Sequence, residues 1–419
     1  MLYQELKKIF RPGVILAALV LGAVYYWMYL DFYVNYYPTN YGVTIGPKLL
    51  EVTGGWVDTY GPSLERDEVE EIENTLPALY GEADGYLAAY PVAQEHGIAS
   101  YEDYLAFSEE VNLRLFGGGT GNGPAVDDPD YQDLWRINDY LSGPETDNVS
   151  GRMYAVGFLH MRYDRIPEPG TLGELSTEVD MGGLSKKEHA HVLDAFFGPD
   201  EAWRNILPVE VMEGTGVSAF ETAIWTVLCL CLLLGPALTR DRMNRMLALQ
   251  YASRRGRAVS RTQLGTYLIT AFAIATVNTA LFAVFFLKKH GLGAFFSCRM
   301  YSFLHPFFSW PNWTFGTWCV VLGLIHYALA FTTAGLIFLL SRCSGNYISM
   351  LLKVIPLFAV FAFFIPRLME YAFYFRNDLY TLTGVPYIEA IIPVVLLALS
   401  SGLCMVFIRR LQRRDVLTA

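Results

Sequence analysis

The chain has 419 residues, of which 53% are hydrophobic and only 17% are charged, and its mean hydropathy is +0.29. This composition excludes a disordered chain, a small disulfide-rich domain and a basic nucleic-acid-binding protein. The formal charge of −10 is distributed unequally: residues 32–218 hold 10 basic and 33 acidic residues, and the rest holds 21 basic and 8 acidic residues. We therefore predict an acidic, water-exposed domain joined to an apolar, basic membrane body.

Six stretches are apolar and long enough to cross a bilayer, which takes about 20 residues in a helix. The first is expected to remain as an anchor, because its long apolar run ends in aromatic residues and no small-x-small cleavage site follows. Lys353 and Pro356 interrupt the fifth. The predicted spans are 13–30, 219–238, 262–287, 316–340, 347–365 and 388–408.

The basic residues predict the orientation of these spans. In a six-span topology the basic residues near the N-terminus, in the 240–261 loop, after the fourth span and in the tail all fall on one face. Basic loops favour the cytoplasmic side, so both termini are expected to be cytoplasmic. The predicted organisation is a cytoplasmic amphipathic helix (1–12), a first transmembrane helix (13–31), an acidic extracytoplasmic domain (32–218), a five-helix transmembrane region with a cytoplasmic loop at 240–261 (219–408) and a basic cytoplasmic tail (409–419).

The acidic segment is predicted to be rich in helix. Ser63 is a candidate cap for a helix with Val69, Ile72 and Leu76 on its apolar side, and Pro77 is expected to break it. Further helices are expected at about 77–90, 101–115, 125–140 and 186–197. The aromatic segment 294–315 is too broken by proline to span a bilayer and is expected to lie in the outer interface, and 367–387 is interpreted in the same way.

No motif in the sequence supports an enzyme. The glycine-rich stretch 116–123 lacks the Gly-Lys-Ser/Thr ending of a phosphate loop. The pairs His189/His191 and Cys229/Cys231 have a spacing that points their side chains apart on a helix, so packing or exposure is favoured over a metal site. A calcium site is weighed against a solvated helix start for four aspartates, and the helix start is favoured. These aspartates are Asp127, Asp128, Asp130 and Asp133.

The 240–261 loop has seven arginines and a single acid, Asp241. A short helix in this loop is expected to carry a stripe at positions i, i+3, i+4, i+7 and i+8, of which four of the five residues are apolar. A loop lying on anionic lipid is one interpretation; a helix that docks on a partner protein is the other, because methionine-rich stripes suit adaptable interfaces. The stripe consists of Met243, Met246, Leu247, Gln250 and Tyr251.

Glu221 is the candidate pathway residue. It lies inside the predicted second span, where a charged side chain is costly and usually faces a pathway or a partner. A residue that simply reaches the outer interface is the alternative interpretation.

Three stretches resemble the permease subunits of type-2 ABC exporters, in the form found in Gram-positive bacteria. The N-terminus 3–12 (YQELKKIFRP) resembles the helix that leads into the first span of the family. The stretches 59–73 and 97–104 are similar to its first outer loop. The segments 239–242 (TRDR) and 251–257 (YASRRGR) resemble its loop between the second and third spans. Asp241 stands where the family usually has Glu, Asn244-Arg245-Met246 replaces Asn-Gly-Thr, and Gln263 is near a position often held by Lys.

The resemblance implies an all-α permease fold in the bacterial cytoplasmic membrane. The chain has no Walker motif, so ATP and Mg²⁺ are expected in a partner, a cytoplasmic ABC ATP-binding subunit present in two copies. A second permease chain, identical or sister, would complete the pathway, and no nucleic acid is implied. The coupling helix implied by the family would dock the ATPase through Asp241, Arg242, Met243, Arg245, Met246, Leu247, Gln250, Tyr251, Arg254, Arg255, Gly256 and Arg257.

Three other functions stay open from the sequence. One is a membrane-anchored sensor or resistance protein whose outer domain binds peptide, and another is an ABC membrane subunit that transmits force. A polytopic enzyme is the third, although no convergent catalytic set supports it. The substrate of an exporter is also open between peptide, lipid and amphiphile.

Overall fold

A computed structural model describes residues 2–35, 37, 45–116, 128–163, 185–197, 204–244, 256–304, 309–374 and 377–413. Within these ranges the chain is all-helical, apart from isolated bridges between single residues. It divides into two compact units. The membrane unit comprises Met1–Tyr36, Glu210–Lys289 and Phe308–Ala419, and the second unit comprises Tyr37–Val209 and His290–Phe307.

Six helices of the membrane unit are long and apolar enough to cross a bilayer, which confirms the predicted number of candidate spans. Helices are expected here because a helix pairs its own backbone polar groups where no water is available. The spans are Pro12–Asn35, Val209–Met243, Val259–Lys288, Phe315–Arg342, Tyr347–Met369 and Ile388–Leu411.

The membrane unit contains the following helices, numbered in chain order through both units. They are α1 (Leu2–Ile9), α2 (Pro12–Tyr25), α3 (Asp31–Asn35), α12 (Val209–Met243), α13 (Gly256–Phe282), α14 (Phe315–Arg342), α15 (Tyr347–Met369), α16 (Asp378–Thr383) and α17 (Ile388–Arg413). A π-helical turn at Tyr26–Leu30 joins α2 to α3, and another at Ala283–Lys288 extends α13.

The second span differs most from its prediction. It is one helix of 35 residues that begins at Val209 instead of residue 219, so Glu221 lies about a third of the way along it. The fifth span is continuous through Pro356, and Lys353 turns toward the helix start, where its ammonium group donates to the Cys343 carbonyl at 3.0 Å. The length of the lysine side chain lets its ammonium group reach a hydrogen-bond acceptor at the helix end, so the helix stays continuous.

Close helix contacts position the fourth and sixth spans. The Ser400 hydroxyl donates to the Thr332 carbonyl at 3.2 Å, and the Cys404 thiol faces the Gly335 carbonyl at 3.4 Å. A Cβ added at Gly335 would collide with the Ser400 hydroxyl, so glycine is what allows this approach. Small residues at such contacts are how helices associate within a bilayer, where hydrophobic burial drives little association.

The second unit contains helices α4 (Ile45–Tyr60), α5 (Arg66–Glu73), α6 (Leu76–Ala89), α7 (Pro91–Glu95), α8 (Tyr101–Phe116), α9 (Pro129–Leu141), α10 (Val149–Tyr163) and α11 (Lys186–Phe197). The helices predicted near 77–90, 101–115 and 186–197 are confirmed. The helix predicted at 125–140 starts later, at Pro129, after its cap Asp128. Helix α10 packs against α4 and α6, with Ala155 and Leu159 fully buried.

The predicted cap Ser63 is wrong. Glu65 caps α5, because its side chain accepts from the backbone three residues on while Glu68 accepts from the Glu65 backbone N–H at 2.7 Å. Ser63 instead forms an isolated antiparallel bridge with Asn205. Two reciprocal charged caps outcompete a single hydroxyl for the same backbone donors.

The expectation that 294–315 lies in the outer interface is wrong for its first half. Residues 292–297 form a 3-10 helix of the second unit, where Phe295 is fully buried and lies near Gly54 of α4. Tyr301 is also fully buried, and the Ser302 hydroxyl accepts the Leu207 backbone N–H at 3.0 Å. This aromatic segment therefore belongs to a protein core.

Several acidic residues of the second unit have cationic partners. Arg114 pairs with Asp128 at 3.0 Å and with Asp130 at 2.8 Å. Asp133 lies 3.1 Å from His96 and 2.9 Å from Arg136. Asp128 also caps α9, which agrees with the helix-start interpretation. Asp127 and the glycine-rich stretch from residue 117 onward lie outside the described residues.

We predict that Gly216→Ala destabilises the membrane unit. A Cβ at Gly216 would collide with the backbone carbonyl of Glu370, which no side-chain rotation relieves. The expected loss is about 1–3 kcal/mol, measured as a lower Tm of the detergent-solubilised protein. Gly323→Ala is the matched control. Gly323 lies in the fourth span, and a Cβ added there would meet no atom within 4 Å. Equal Tm values for the two variants would contradict the contact.

Candidate functional site

The membrane unit has two chemically different ends. The basic end carries α1, the C-terminal turns of the second, fourth and sixth spans and the N-terminal turns of the third and fifth. Its basic residues are Lys7, Lys8, Arg11, Arg240, Arg242, Arg261, Arg342, Lys353, Arg409 and Arg410. The opposite end holds more acidic than basic residues: Glu210, Glu213, Glu221, Glu370 and Glu389, against Lys288, Lys289 and Arg367. The described residues that flank the 245–255 segment, Asn244 and Gly256, belong to the basic end.

An ion pair between Lys8 and Asp241 joins α1 to the second span. The Lys8 ammonium lies 2.8 Å from Asp241 and 2.8 Å from Glu5. Only 8% of the Asp241 side chain is exposed, so the ion pair is largely shielded from water on the Asp241 side. Burial opposes the charged form of Lys8, but the hydrogen bonds with Asp241 and Glu5 outweigh it and raise the pKa of Lys8.

The same contact extends to the third and fourth spans through Gln263. The Gln263 amide donates to Glu5 at 3.3 Å, and its carbonyl oxygen accepts from the Arg342 guanidinium. Gln263 is fully buried. The Arg342 guanidinium also lies 3.4 Å from the Ser260 hydroxyl. Gln263 therefore connects the N-terminal helix to the end of the fourth span.

Arg242 completes the connection between the second and fourth spans. Its guanidinium donates to the Arg342 carbonyl at 3.1 Å and to the Ser344 carbonyl at 3.4 Å. The residues before the 245–255 segment (Asp241 and Arg242) and those after it (Ser260 and Gln263) are its two stems. Both stems are hydrogen-bonded to the C-terminal end of the fourth span. We name this set the basic-end network; it consists of Glu5, Lys8, Asp241, Arg242, Ser260, Gln263, Arg342 and Ser344.

Only part of the predicted docking helix is described. Asp241 and Arg242 lie in the basic-end network, and the Met243 side chain is 49% exposed. Gly256 is the first residue of α13 and Arg257 follows it. The remaining docking residues lie outside the described residues, so their roles stay predictions. They are Arg245, Met246, Leu247, Gln250, Tyr251, Arg254 and Arg255.

Glu221 lies against the first span. The Tyr25 hydroxyl donates to the Glu221 carboxylate and is 3.0 Å from the Glu221 backbone carbonyl. The Tyr25 ring stacks on Trp225, with 5.4 Å between centroids. Glu221 is partly buried. The structure thus gives Glu221 a partner inside the membrane unit.

A polar cluster within the membrane unit was not predicted from the sequence. The Thr226 hydroxyl accepts from the Asn278 amide at 2.8 Å and lies 2.8 Å from His326 Nε2. It donates to the Thr222 carbonyl at 3.0 Å, and the Thr279 hydroxyl lies 3.2 Å from His326 Nδ1. A neutral imidazole with its proton on Nε2 satisfies all of these contacts. The cluster links the second, third and fourth spans.

Protein-family models, curated proteins and solved structures were all compared with this chain, and none matched it.

We predict that Lys8→Gln and Asp241→Asn each destabilise the membrane unit by about 1.5–3 kcal/mol, because each leaves a charged hydrogen bond unmade. Lys7→Gln is the matched control, since Lys7 is exposed on the same helix. The stability of both single variants and the double variant, measured by thermal unfolding in detergent, gives the coupling between the two residues. Additive effects would show that the pair does not interact.

We also predict that Thr226→Val destabilises the protein by about 1–2 kcal/mol, because it removes the acceptor of two interhelical hydrogen bonds. Thr332→Val is the matched control: Thr332 is equally buried, and its hydroxyl has no hydrogen-bond partner among the described residues. Thermal unfolding should separate the two variants. A Thr332→Val loss as large as that of Thr226→Val would contradict a role for the cluster.

Proposed function

We propose that this chain is the transmembrane permease subunit of an ATP-driven ABC exporter, which moves a peptide, lipid or amphiphile across the cytoplasmic membrane with a separate ATPase subunit. The observation that carries the proposal is the basic-end network. It holds both stems of the 245–255 segment against α1 and the end of the fourth span.

This network suits the transfer of motion from a docking segment to the spans. A movement of the segment pulls on Asp241 and Arg242 at one stem and on Ser260 and Gln263 at the other. The contacts with Lys8 and Arg342 pass that movement to α1 and to the fourth span. Rigid helices joined by discrete polar contacts are the kind of connection through which coupled transitions travel.

Charge supports placing the basic end in the cytoplasm. Lysines and arginines cluster at this end and glutamates at the other, in the sense of the positive-inside rule. Both termini would then be cytoplasmic, and the acidic second unit would lie outside. ATP and Mg²⁺ are available on the cytoplasmic side, where two ATP-binding subunits would meet the docking residues.

The exposed spans support a partner permease. In the most apolar 18 residues of the first span, only 6% of the residues are buried within this chain, whereas the corresponding share in the second span is 67%. The fifth and sixth spans are each 22% buried. Such surfaces face lipid or a second permease chain, identical or sister, with which a complete pathway would form.

We predict that a tagged chain extracted in mild detergent recovers a stoichiometric ATP-binding subunit with ATPase activity. A triple Met246→Asp, Leu247→Asp and Tyr251→Asp variant should lose it, because charge removes the apolar stripe of the docking helix. The matched control is Met246→Leu, Leu247→Met and Tyr251→Phe, which keeps the stripe apolar and should retain the partner.

Two other results would contradict the permease proposal. Recovery of the chain alone, without ATP hydrolysis, would overturn it. Recovery of a kinase in place of an ATPase would favour the sensor interpretation, in which the outer domain binds peptide. An ATPase that binds the control and the triple aspartate variant equally would leave a transporter but refute docking through 245–255.

A further inference from the structure

An apolar groove runs along the first span. Its volume is about 690 Å³, and its walls come from the first, second and third spans of the membrane unit. Lining residues occur from Phe10 to Val34, so the groove follows the first span for almost its whole length. None of the described residues that line it carries a formal charge. A groove of this kind at membrane depth suits a hydrocarbon chain.

Two aromatic rings meet at one position on the groove, and a carboxylate that does not line the groove is hydrogen-bonded to one of them. Tyr25, Tyr33 and Trp225 line it, and the Tyr25 and Trp225 rings are 5.4 Å apart. The Tyr25 hydroxyl donates to the carboxylate of Glu221, which lies one helical turn before Trp225. Aromatic faces beside a carboxylate are what proteins use to recognise ammonium cations, above all quaternary ones.

The groove continues from this position toward the basic end as an apolar channel. Ala18, Gly22 and Leu233 line this part. Ten residues separate Ile15 from Tyr25, which is about 15 Å along a helix. An extended dodecyl chain has a comparable length. The Asn278 amide forms a polar point on the wall, and its N–H group is bonded to Thr226.

We propose that this groove binds a single-chain cationic amphiphile, with its ammonium group against Tyr25 and Trp225, its alkyl chain along Gly22, Ala18 and Ile15, and the Glu221 carboxylate behind the Tyr25 hydroxyl as the nearby negative charge. The inference rests on the proposed function, for which it names the substrate class. An anionic phospholipid would bring its phosphate toward the Glu221 carboxylate behind Tyr25, which disfavours it.

The test uses the full chain in nanodiscs of neutral lipid and a dodecyltrimethylammonium probe that carries a diazirine on its alkyl chain. Photolabelled peptides are identified by mass spectrometry. Labelling is expected in the first three spans, and excess dodecyltrimethylammonium should compete while dodecyl phosphate should not. Glu221→Gln leaves the shape of the groove unchanged and should weaken binding of the cationic probe roughly tenfold.

Filling the groove provides the steric test. Ala23→Trp places a large side chain on a lining position and should reduce labelling roughly tenfold. Val20→Trp is the matched control: Val20 is 57% exposed on the same helix and does not line the groove, so its labelling should equal that of the unmodified chain. Should Ala23→Trp fail to fold, Ala18→Phe replaces it as a second lining variant.

Three results would overturn the inference. The first is equal labelling of Ala23→Trp and Val20→Trp, and the second is displacement of the probe by phosphatidylglycerol as effective as by dodecyltrimethylammonium. The third is a dimer cross-linked through Ala23→Cys in a chain otherwise free of cysteine, which would place a second copy over the groove.

The assay needs no ATPase, so a chain that recruits an ATPase but binds no probe refutes only the groove. A chain that binds the probe but recruits no ATPase refutes only the exporter.

Discussion

The ion pair between Lys8 and Asp241 is the contact on which the basic end of the membrane unit depends. It joins residues 233 positions apart in sequence, and Glu5 and Gln263 extend it to Arg342. Apolar helices in lipid gain little from burying apolar surface against each other. Their relative positions therefore rest on such polar contacts at the helix ends, and on close approaches at glycines such as Gly216 and Gly335.

The sequence predicted the number of spans because apolar length is a local property that hydropathy measures directly. It did not predict where the second span begins, since the helix continues past the apolar run through Glu210 and Glu213. The aromatic residues of 294–303 were assigned to the bilayer interface because an interface and a protein core favour the same residue types. Ser63 was chosen as a cap because serine is a preferred capping residue. That preference alone does not show the reciprocal hydrogen bonds by which Glu65 and Glu68 cap the helix.

The candidate site was predictable only in part. Asp241 stood out as the single acid among seven arginines, and Gln263 was noted as a departure from the family, near a position often held by Lys. Their partners Lys8 and Arg342 lie far away in the chain, so no spacing rule brings them together. The cluster of Thr226, Asn278 and His326 was missed for the same reason, since each residue is a lone polar side chain in its own span. The cluster of Thr226, Asn278 and His326 therefore lies beside the apolar groove, which Asn278 lines, and the basic-end network lies at one end of the same spans.

The most direct measurement is ATP hydrolysis by the assembly that purifies with this chain, compared between the unmodified protein, Lys8→Asp and the Lys8→Asp/Asp241→Lys double variant. If the basic-end network couples the docking segment to the spans, the single variant hydrolyses ATP more slowly with its partner still bound. The double variant, which restores the ion pair with its charges exchanged, recovers the activity. Equal hydrolysis by all three assemblies, or no hydrolysis by any of them, would contradict an ATP-driven permease coupled through Lys8 and Asp241.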